Sequence, residues 1–344
     1  MHFRRLVLFL ALTAGALGQG PSPNDQALFL AGLPVRGSAL ENWARSGAYV
    51  EHATALDEAW EKKQRRSLIG VRNWASTFAP RATGSSGTMY YMFSGPDILY
   101  AHTFFPNAST YILCGTEPVG EVPDITRIQP EAFDLALNDI RKSLNTMLSY
   151  HYFITKEMRT DLQRGQLGGT LPILYVFLAR LGCTIQEVTY VKSPAPGVRL
   201  TFMSPGGRQQ TLYYFKVDLS NGSCGPFLKW CAQQGPGVSL LKAASYLMHL
   251  NSFSQVRSFL LDHSRVIVQD DSGIPHRAFD ARWSLRYFGT YQAPIELFAK
   301  NYQPDLAEAY AQSQPAPLGF AFGYHWQTER GMLILGTRKA GGGE

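Results

Sequence analysis

The chain lacks the short motifs that usually announce a chemistry. No G-x-G-x-x-G, no phosphate-binding G-x-x-x-x-G-K-[ST] and no H-E-x-x-H occurs in its 344 residues. None of the usual signatures of a dinucleotide, a nucleoside triphosphate or a zinc protease is therefore present. "FSGPD", at Phe93 to Asp97, lacks the G-x-S-x-G pattern of a hydrolase elbow. Cysteine is scarce: Cys114, Cys183, Cys224 and Cys231 are the four, and no pair has the C-x-x-C spacing. There is no internal repeat. Beyond the N-terminus no apolar run approaches the ~20 residues that cross a bilayer. The nearest, Leu171 to Leu181, is broken by Pro172 and Arg180. Charge of one sign is also thin. Lys and Arg total 32 against 26 Asp and Glu, a net charge of +6, which does not point to nucleic acid. The one dense basic run, "EKKQRR" from Glu61 to Arg66, sits in a helical pattern and reads as a solvated helix face.

What is present begins with "MHFRRLVLFLALTAGALGQG". Arg4 and Arg5 precede an apolar run from Leu6 to Leu17, and Ala16 and Gly18 are the small residues of a cleavage site. This is the layout of a secretory signal peptide over 1–18, with a mature chain starting near Gln19. Its removal takes away two arginines and no acids, lowering the net charge to +4. Export permits disulfides. Cys114 lies in an apolar strand pattern and Cys183 after an apolar helix, so both suit small buried hydrophobes. Any disulfide is expected between Cys224 and Cys231, provided Cys224 lies in a loop before a short helix.

Residues 19–37 read as an irregular leader. Two or three helices are expected over 38–78, with Gly47 and Gly70 as interruptions. Met89 to Phe93 and Thr110 to Cys114 suit strands. The link between them, about 15 residues with a short helix over Ile98 to Phe105, is long enough for a parallel crossover. Phe133, Leu137, Ile140, Leu144 and Met147 form one helical stripe, and Pro172 to Leu181 is a helix apolar all round. "CTIQEVTYV", "GVRLTFM" and "QQTLYYFKVDL" read as a three-stranded antiparallel meander. Helices are expected at Pro226 to Ala232, Val238 to Leu250 and Phe253 to His263. Strands are expected at Val266 to Gln269 and Trp283 to Tyr287. Helical stretches start at Glu296 and Asp305, and Gly319 to Trp326 forms a hairpin with Met332 to Gly336. The tail, 339–344, reads as disordered. The sum is one globular domain over 38–338, α+β or mixed α/β: a mixed sheet containing an antiparallel meander, flanked by helices.

Three of the strands end in similar punctuation: Ser94-Gly95-Pro96-Asp97, Gly115-Thr116-Glu117-Pro118 and Asp270-Asp271-Ser272-Gly273. In open α/β sheets ligands bind beyond the carboxyl ends of the strands. If the three run parallel, Asp97, Glu117 and Asp270 or Asp271 converge at one edge, with His276 and Arg277 close by. Asp270 or Asp271 would be base or metal ligand, Glu117 or Asp97 its partner, and His276 a proton carrier. Such oxygen ligands also suit a divalent cation, Ca²⁺ or Mg²⁺. Turn chemistry alone explains the same residue types, and adjacent Asp270 and Asp271 point to opposite faces while the strand lasts. Lys242, Ser245 and His249 share one face of the expected helix Val238 to Leu250 and read there as solvated.

"YYMFSGPDILYAHTFFPNASTYILCGTEPVG", "LKAASYLMH" and "QDDSGIPHRAF" together resemble an uncharacterised family of exported bacterial proteins. The resemblance spans the chain from about Met89 onward. It implies a periplasmic or secreted location and carries no activity or site residue. Two functions follow as expectations. One is an envelope enzyme, a hydrolase acting on a polar substrate. The other is a non-catalytic protein that binds a small polar ligand or an envelope component, in which the turns only shape a surface.

Overall fold

The strands that are buried on both faces form the centre of the sheet, and those with solvated faces lie toward its edges. Thr88–Tyr91 (β1), Gly237–Leu241 (β6) and most of Ser264–Gln269 (β7) are buried at successive positions, whereas Thr184–Val191 (β3) is largely solvated. A computed structural model, describing residues 20–150, 152 and 167–339, joins these with Thr110–Gly115 (β2), Gly197–Met203 (β4), Gln209–Lys216 (β5), Trp283–Gly289 (β8) and Met332–Arg338 (β9) in one nine-stranded sheet. The order is β3-β4-β5-β2-β1-β6-β7-β9-β8. The five central strands, β5-β2-β1-β6-β7, are mutually parallel, and both flanks are antiparallel. The fold is a mixed α/β sheet with helices, and it contains the expected meander β3-β4-β5.

Ten helices flank the sheet among the described residues: Pro23–Leu30 (α1), Gly47–Lys63 (α2), Ile69–Phe78 (α3), Pro80–Thr83 (α4), Ile98–Phe104 (α5), Pro130–Tyr150 (α6), Leu171–Arg180 (α7), Gly225–Gln233 (α8), Ser254–His263 (α9) and Pro304–Ser313 (α10). Helices α1 to α7 share one core with Met89, Tyr91, Tyr111, Leu113, Val238 and Val268. Helices α8 and α9 cover the opposite face, against Tyr90, Ile112, Phe215, Leu241 and Ile267. These sets alternate along each strand, as period-two side chains must. The crossover β1-α5-β2 steps one way with its helix on the first face. The crossover β6-α9-β7 steps the other way with its helix on the second. Both are then right-handed, and the winding reverses between β1 and β6.

Several expectations fail. Val238 to Leu250 is not a helix: its first half is β6, and left-handed residues and short 3₁₀ turns follow. Gly319 to Trp326 forms no hairpin with β9, which pairs instead with β7 and β8; the earlier segment holds only one isolated bridge, Phe322 with His325. The leader contains α1, started by a Ser22–Asp25 capping box. Gly70 lies inside α3; the irregularity is a π turn at Gln64–Leu68 just before it. All four cysteines are buried free thiols. Cys224 sits at the N-cap of α8 but is not bonded to Cys231. No described helix is long and apolar enough to cross a membrane. The expected signal peptide and the tail from 340 onward lie outside the described residues.

Candidate functional site

Beyond β1 the chain turns sharply, with Phe93 left-handed at φ 60°. The backbone N–H groups of Ser94 and Gly95 both donate to the carbonyl of Cys114, at 3.0 and 3.2 Å. The Cys114 N–H donates to Ser94 Oγ at 3.1 Å. These bonds tie the ends of β1 and β2 together and bring the chain to Asp97, the N-cap of α5. Asp97 Oδ1 accepts the Tyr100 N–H at 3.0 Å, and Oδ2 accepts the Tyr91 hydroxyl at 2.9 Å. The same Oδ2 is 2.8 Å from Lys242 Nζ, which comes from the end of β6. Both side chains are 1% exposed. Lys242 also stands over the Tyr100 ring, 4.1 Å from its centroid. Burial, with the Asp97 charge second, holds the Tyr91 hydroxyl well above the usual tyrosine value, so it remains a donor.

The loop after Lys242 carries three non-glycine residues in the left-handed region: Ala243, Ser245 and Tyr246 at φ 53°, 54° and 54°. Each such residue costs about 1–2 kcal/mol and persists where its surroundings over-determine it. Here they do. The Ala243 N–H donates to Asp270 Oδ2 at 2.8 Å, the Ala244 N–H to Ser272 Oγ at 2.7 Å, and the Ser245 N–H to the Tyr324 hydroxyl at 3.1 Å.

Glu117 follows β2 and is almost wholly buried. The Tyr214 hydroxyl is 3.1 Å from its carbonyl oxygen and 3.3 Å from Oε2. Burial, then the Glu117 charge, pushes Tyr214 well above its ordinary value. Glycine at 115 is required for this placement: a Cβ there would collide with Glu117 Oε2 and approach Gly95 Cα at 3.2 Å. Among the described residues no cation lies within ion-pair range of Glu117.

Asp97, Glu117 and Lys242 line one cleft of about 410 Å³, with Asp218 and Ser245 also on its wall and Phe93, Tyr152 and Phe253 as aromatic neighbours. The cleft lies at the carboxyl ends of β5, β2, β1 and β6, across the point where the winding reverses. That is where open α/β sheets place their ligands.

The other expected residues are elsewhere. Asp270 does not line the cleft. Its Oδ1 accepts the Ser272 N–H and hydroxyl at 3.0 and 2.5 Å, and its Oδ2 holds Ala243. Burial raises its pKa, and these hydrogen bonds oppose the rise. Gly323, at φ +66°, passes so close that any Cβ there would strike this carboxylate. Asp271 points away: the Tyr246 hydroxyl donates to Oδ2 at 2.6 Å, and buried Oδ1 has no partner among the described residues. Burial first, then the charge of Asp270, pushes Asp271 up to about 7. His276 lies outside the cleft, with Nδ1 2.8 Å from Asp305 Oδ2 and Nε2 2.8 Å from the Tyr287 hydroxyl. Of the four expected carboxylates and the one histidine, the fold therefore brings Asp97 and Glu117 to one cavity, sets Asp270 behind its loop, and leaves Asp271 and His276 apart.

Lys242 is the group that local pattern missed. Its only signal is a cation inside the apolar run Leu240-Leu241-Lys242-Ala243-Ala244. For a divalent cation, no group of three or more His, Cys, Asp or Glu side chains converges among the described residues. Comparison with family models, with curated proteins and with solved structures gives no match.

Proposed function

We propose that the protein is an exported hydrolase that acts on a small polar substrate in the cleft at the β1/β6 reversal. In this reading Glu117 is the general base that takes a proton from the attacking water. Lys242, oriented by Asp97, stabilises the negative charge that develops on the attacked group. Asp270 is a positioning residue, because it acts through the loop that carries Lys242 and Ser245. His276 has no part.

The observation that carries the reading is the Asp97–Lys242 pair at 2.8 Å on the cleft wall. A buried ion pair is weak evidence for stability, since desolvating two charges offsets their attraction. Placing one where α/β sheets bind ligands, beside a second carboxylate and a strained loop, matches the way active sites are built. The test is a panel of 4-nitrophenyl esters, glycosides and phosphates and 4-nitroanilides, offered to wild type and to Glu117→Gln. Turnover of at least one member by wild type, lost in the variant, supports the reading. Absence of any turnover, or an unchanged rate in Glu117→Gln, counts against it.

A binding-only role is the second reading. The aromatic side chains of Phe93, Tyr152 and Phe253 beside the cleft favour it, since such rings hold a ligand without catalysis. It predicts thermal stabilisation by unreacted members of the panel.

A further inference from the structure

The edge strand β8 carries a second arrangement of reactive side chains, outside the cleft. Half-buried Tyr287 sits on β8, His276 opens the 3₁₀ turn His276–Ala278, and Asp305 lies in the first turn of α10. The three make one chain of contacts. Asp305 Oδ2 is 2.8 Å from His276 Nδ1, and His276 Nε2 is 2.8 Å from the Tyr287 hydroxyl. A carboxylate only accepts, so Nδ1 carries the proton of the neutral ring. Nε2 is then the acceptor for the Tyr287 O–H. A nucleophile on a base that a carboxylate orients is the layout of a covalent catalyst, recognised by geometry rather than by order in the sequence.

The parts are also held from outside this chain of contacts. The His276 N–H donates to Gln303 Oε1 at 2.8 Å, and Gln303 Nε2 donates to the Asp271 carbonyl at 3.0 Å. Gln303 is the N-cap of α10, so one residue ties the turn with His276 to the helix start with Asp305. The positive end of α10 favours the Asp305 charge. Tyrosines that serve the fold bond differently: the hydroxyls of Tyr49, Tyr111 and Tyr310 donate to backbone carbonyls. Stability is a poor reason for the His276–Asp305 pair, since its carboxylate is 42% exposed and such pairs contribute little.

Burial first, then the Asp305 charge, raises the Tyr287 pKa. The hydroxyl therefore keeps its proton at neutral pH and needs a base at the moment of attack, which His276 is placed to be. The Asp305 carboxylate would repel a phosphoryl donor but not a neutral acyl ester. Leu285, Ala307 and the Tyr310 ring, 5.1 Å from that of Tyr287, form an apolar flank for an acyl chain.

We propose that Tyr287 is a nucleophile that accepts an acyl group from an activated ester, with His276 as its base and Asp305 as the positioning residue. The Tyr287 oxygen attacks the ester carbonyl carbon, and its proton passes to His276 Nε2. The bond from that carbon to the leaving group breaks, and the leaving group takes the proton from Nε2. The products are an acyl-tyrosine and a free phenol or thiol. The donor needs such a leaving group, because thiols and phenols, with pKa values of about 8.5 and 10, match tyrosine in acidity and alkyl alcohols do not. The site is independent of the hydrolase reading, since none of its three residues lines the cleft.

The test is incubation of the full chain with 4-nitrophenyl acetate at neutral pH, with acetyl groups located by peptide mass mapping. Tyr287 should be acetylated at least tenfold faster than Tyr150 and Tyr302, although those are the more exposed at 46% each. His276→Gln and Asp305→Asn should each lower the Tyr287 rate at least tenfold and leave Tyr150 unchanged. A purely structural role would not move this ratio in a variant that circular dichroism shows to be folded. A wild-type rate at Tyr287 no greater than at Tyr150 would overturn the proposal without any variant, and so would an unchanged Tyr287 rate in folded His276→Gln. An unchanged rate in Asp305→Asn would overturn the role of Asp305. Turnover in the cleft leaves no acetyl group on Tyr287, so the two readings fail separately.

Discussion

Asp97 and Lys242, 145 positions apart in the chain, meet at 2.8 Å with both side chains almost completely out of water. The contact joins the two strands between which the sheet reverses its winding. Removing one partner leaves the other charge buried and uncompensated. Lys242→Met or Asp97→Ala should therefore each destabilise the fold by roughly 3–5 kcal/mol, read as a lower urea midpoint. The double variant should cost clearly less than the sum of the two, because no lone charge remains. Additive losses would contradict the pairing.

Asp270 should behave as a turn and loop clamp. Asp270→Ala removes the acceptors of two backbone N–H groups and the Ser272 hydroxyl. A loss of about 1–3 kcal/mol is expected. Asp270→Asn keeps one carbonyl acceptor and should recover part of it. Equal melting temperatures for the two variants would show that the clamp does not depend on acceptor geometry.

Asp271 should make stability fall as pH rises. Its folded value is raised to about 7, from an ordinary 3.8, by burial and by Asp270. The folded state thus holds a proton that the unfolded state has released, and the resulting stabilisation is complete below about pH 4 and lost as pH rises through 7. Urea midpoints across pH 4 to 8 should show this negative slope in wild type and a shallower one in Asp271→Asn. An unchanged slope would mean another group is responsible.

Gly115→Ala tests the placement of Glu117. The new methyl would occupy the space of the Glu117 carboxylate, a movable side-chain end. The expected outcome is loss of any activity in the cleft with only a modest drop in melting temperature. Full activity would show that the position of that carboxylate is not critical.

Much of this architecture was legible in the sequence, for identifiable reasons. Val198, Leu200 and Phe202 alternate with more solvated residues, so the meander announced itself. The β1-to-β2 link was long enough to imply a parallel crossover. Asp97, Glu117 and the 270–271 pair drew notice because turn-forming residues surround them. What was hidden is β6. A central strand buried on both faces shows no alternation, and Leu240, Leu241, Ala244 and Leu247 fall at helical spacing by coincidence. The turn that follows has left-handed Ala243, Ser245 and Tyr246, with no glycine to mark it. Its shape comes from Asp270, Ser272 and Tyr324, which lie far along the chain. Lys242 therefore read as a solvated helix residue although it lies buried at the cleft. The place of His276 was hidden for a related reason: proximity in sequence to Asp271 says nothing about direction once the chain turns, and its ring closes on Asp305 and Tyr287.

The most direct measurement of the central claim is kcat/KM on whichever chromogenic substrate the wild type turns over, compared among wild type, Glu117→Gln and Asp218→Asn at equal folded fractions. Asp218 lies on the same cleft wall but is exposed and hydrogen-bonded to Ser220, so it controls for a general change in cleft charge. The account predicts a loss on the order of 10²–10⁴-fold for Glu117→Gln, the range of general base catalysis, and a change of less than about tenfold, ~1.4 kcal/mol, for Asp218→Asn. Equal rates for Glu117→Gln and wild type would contradict it.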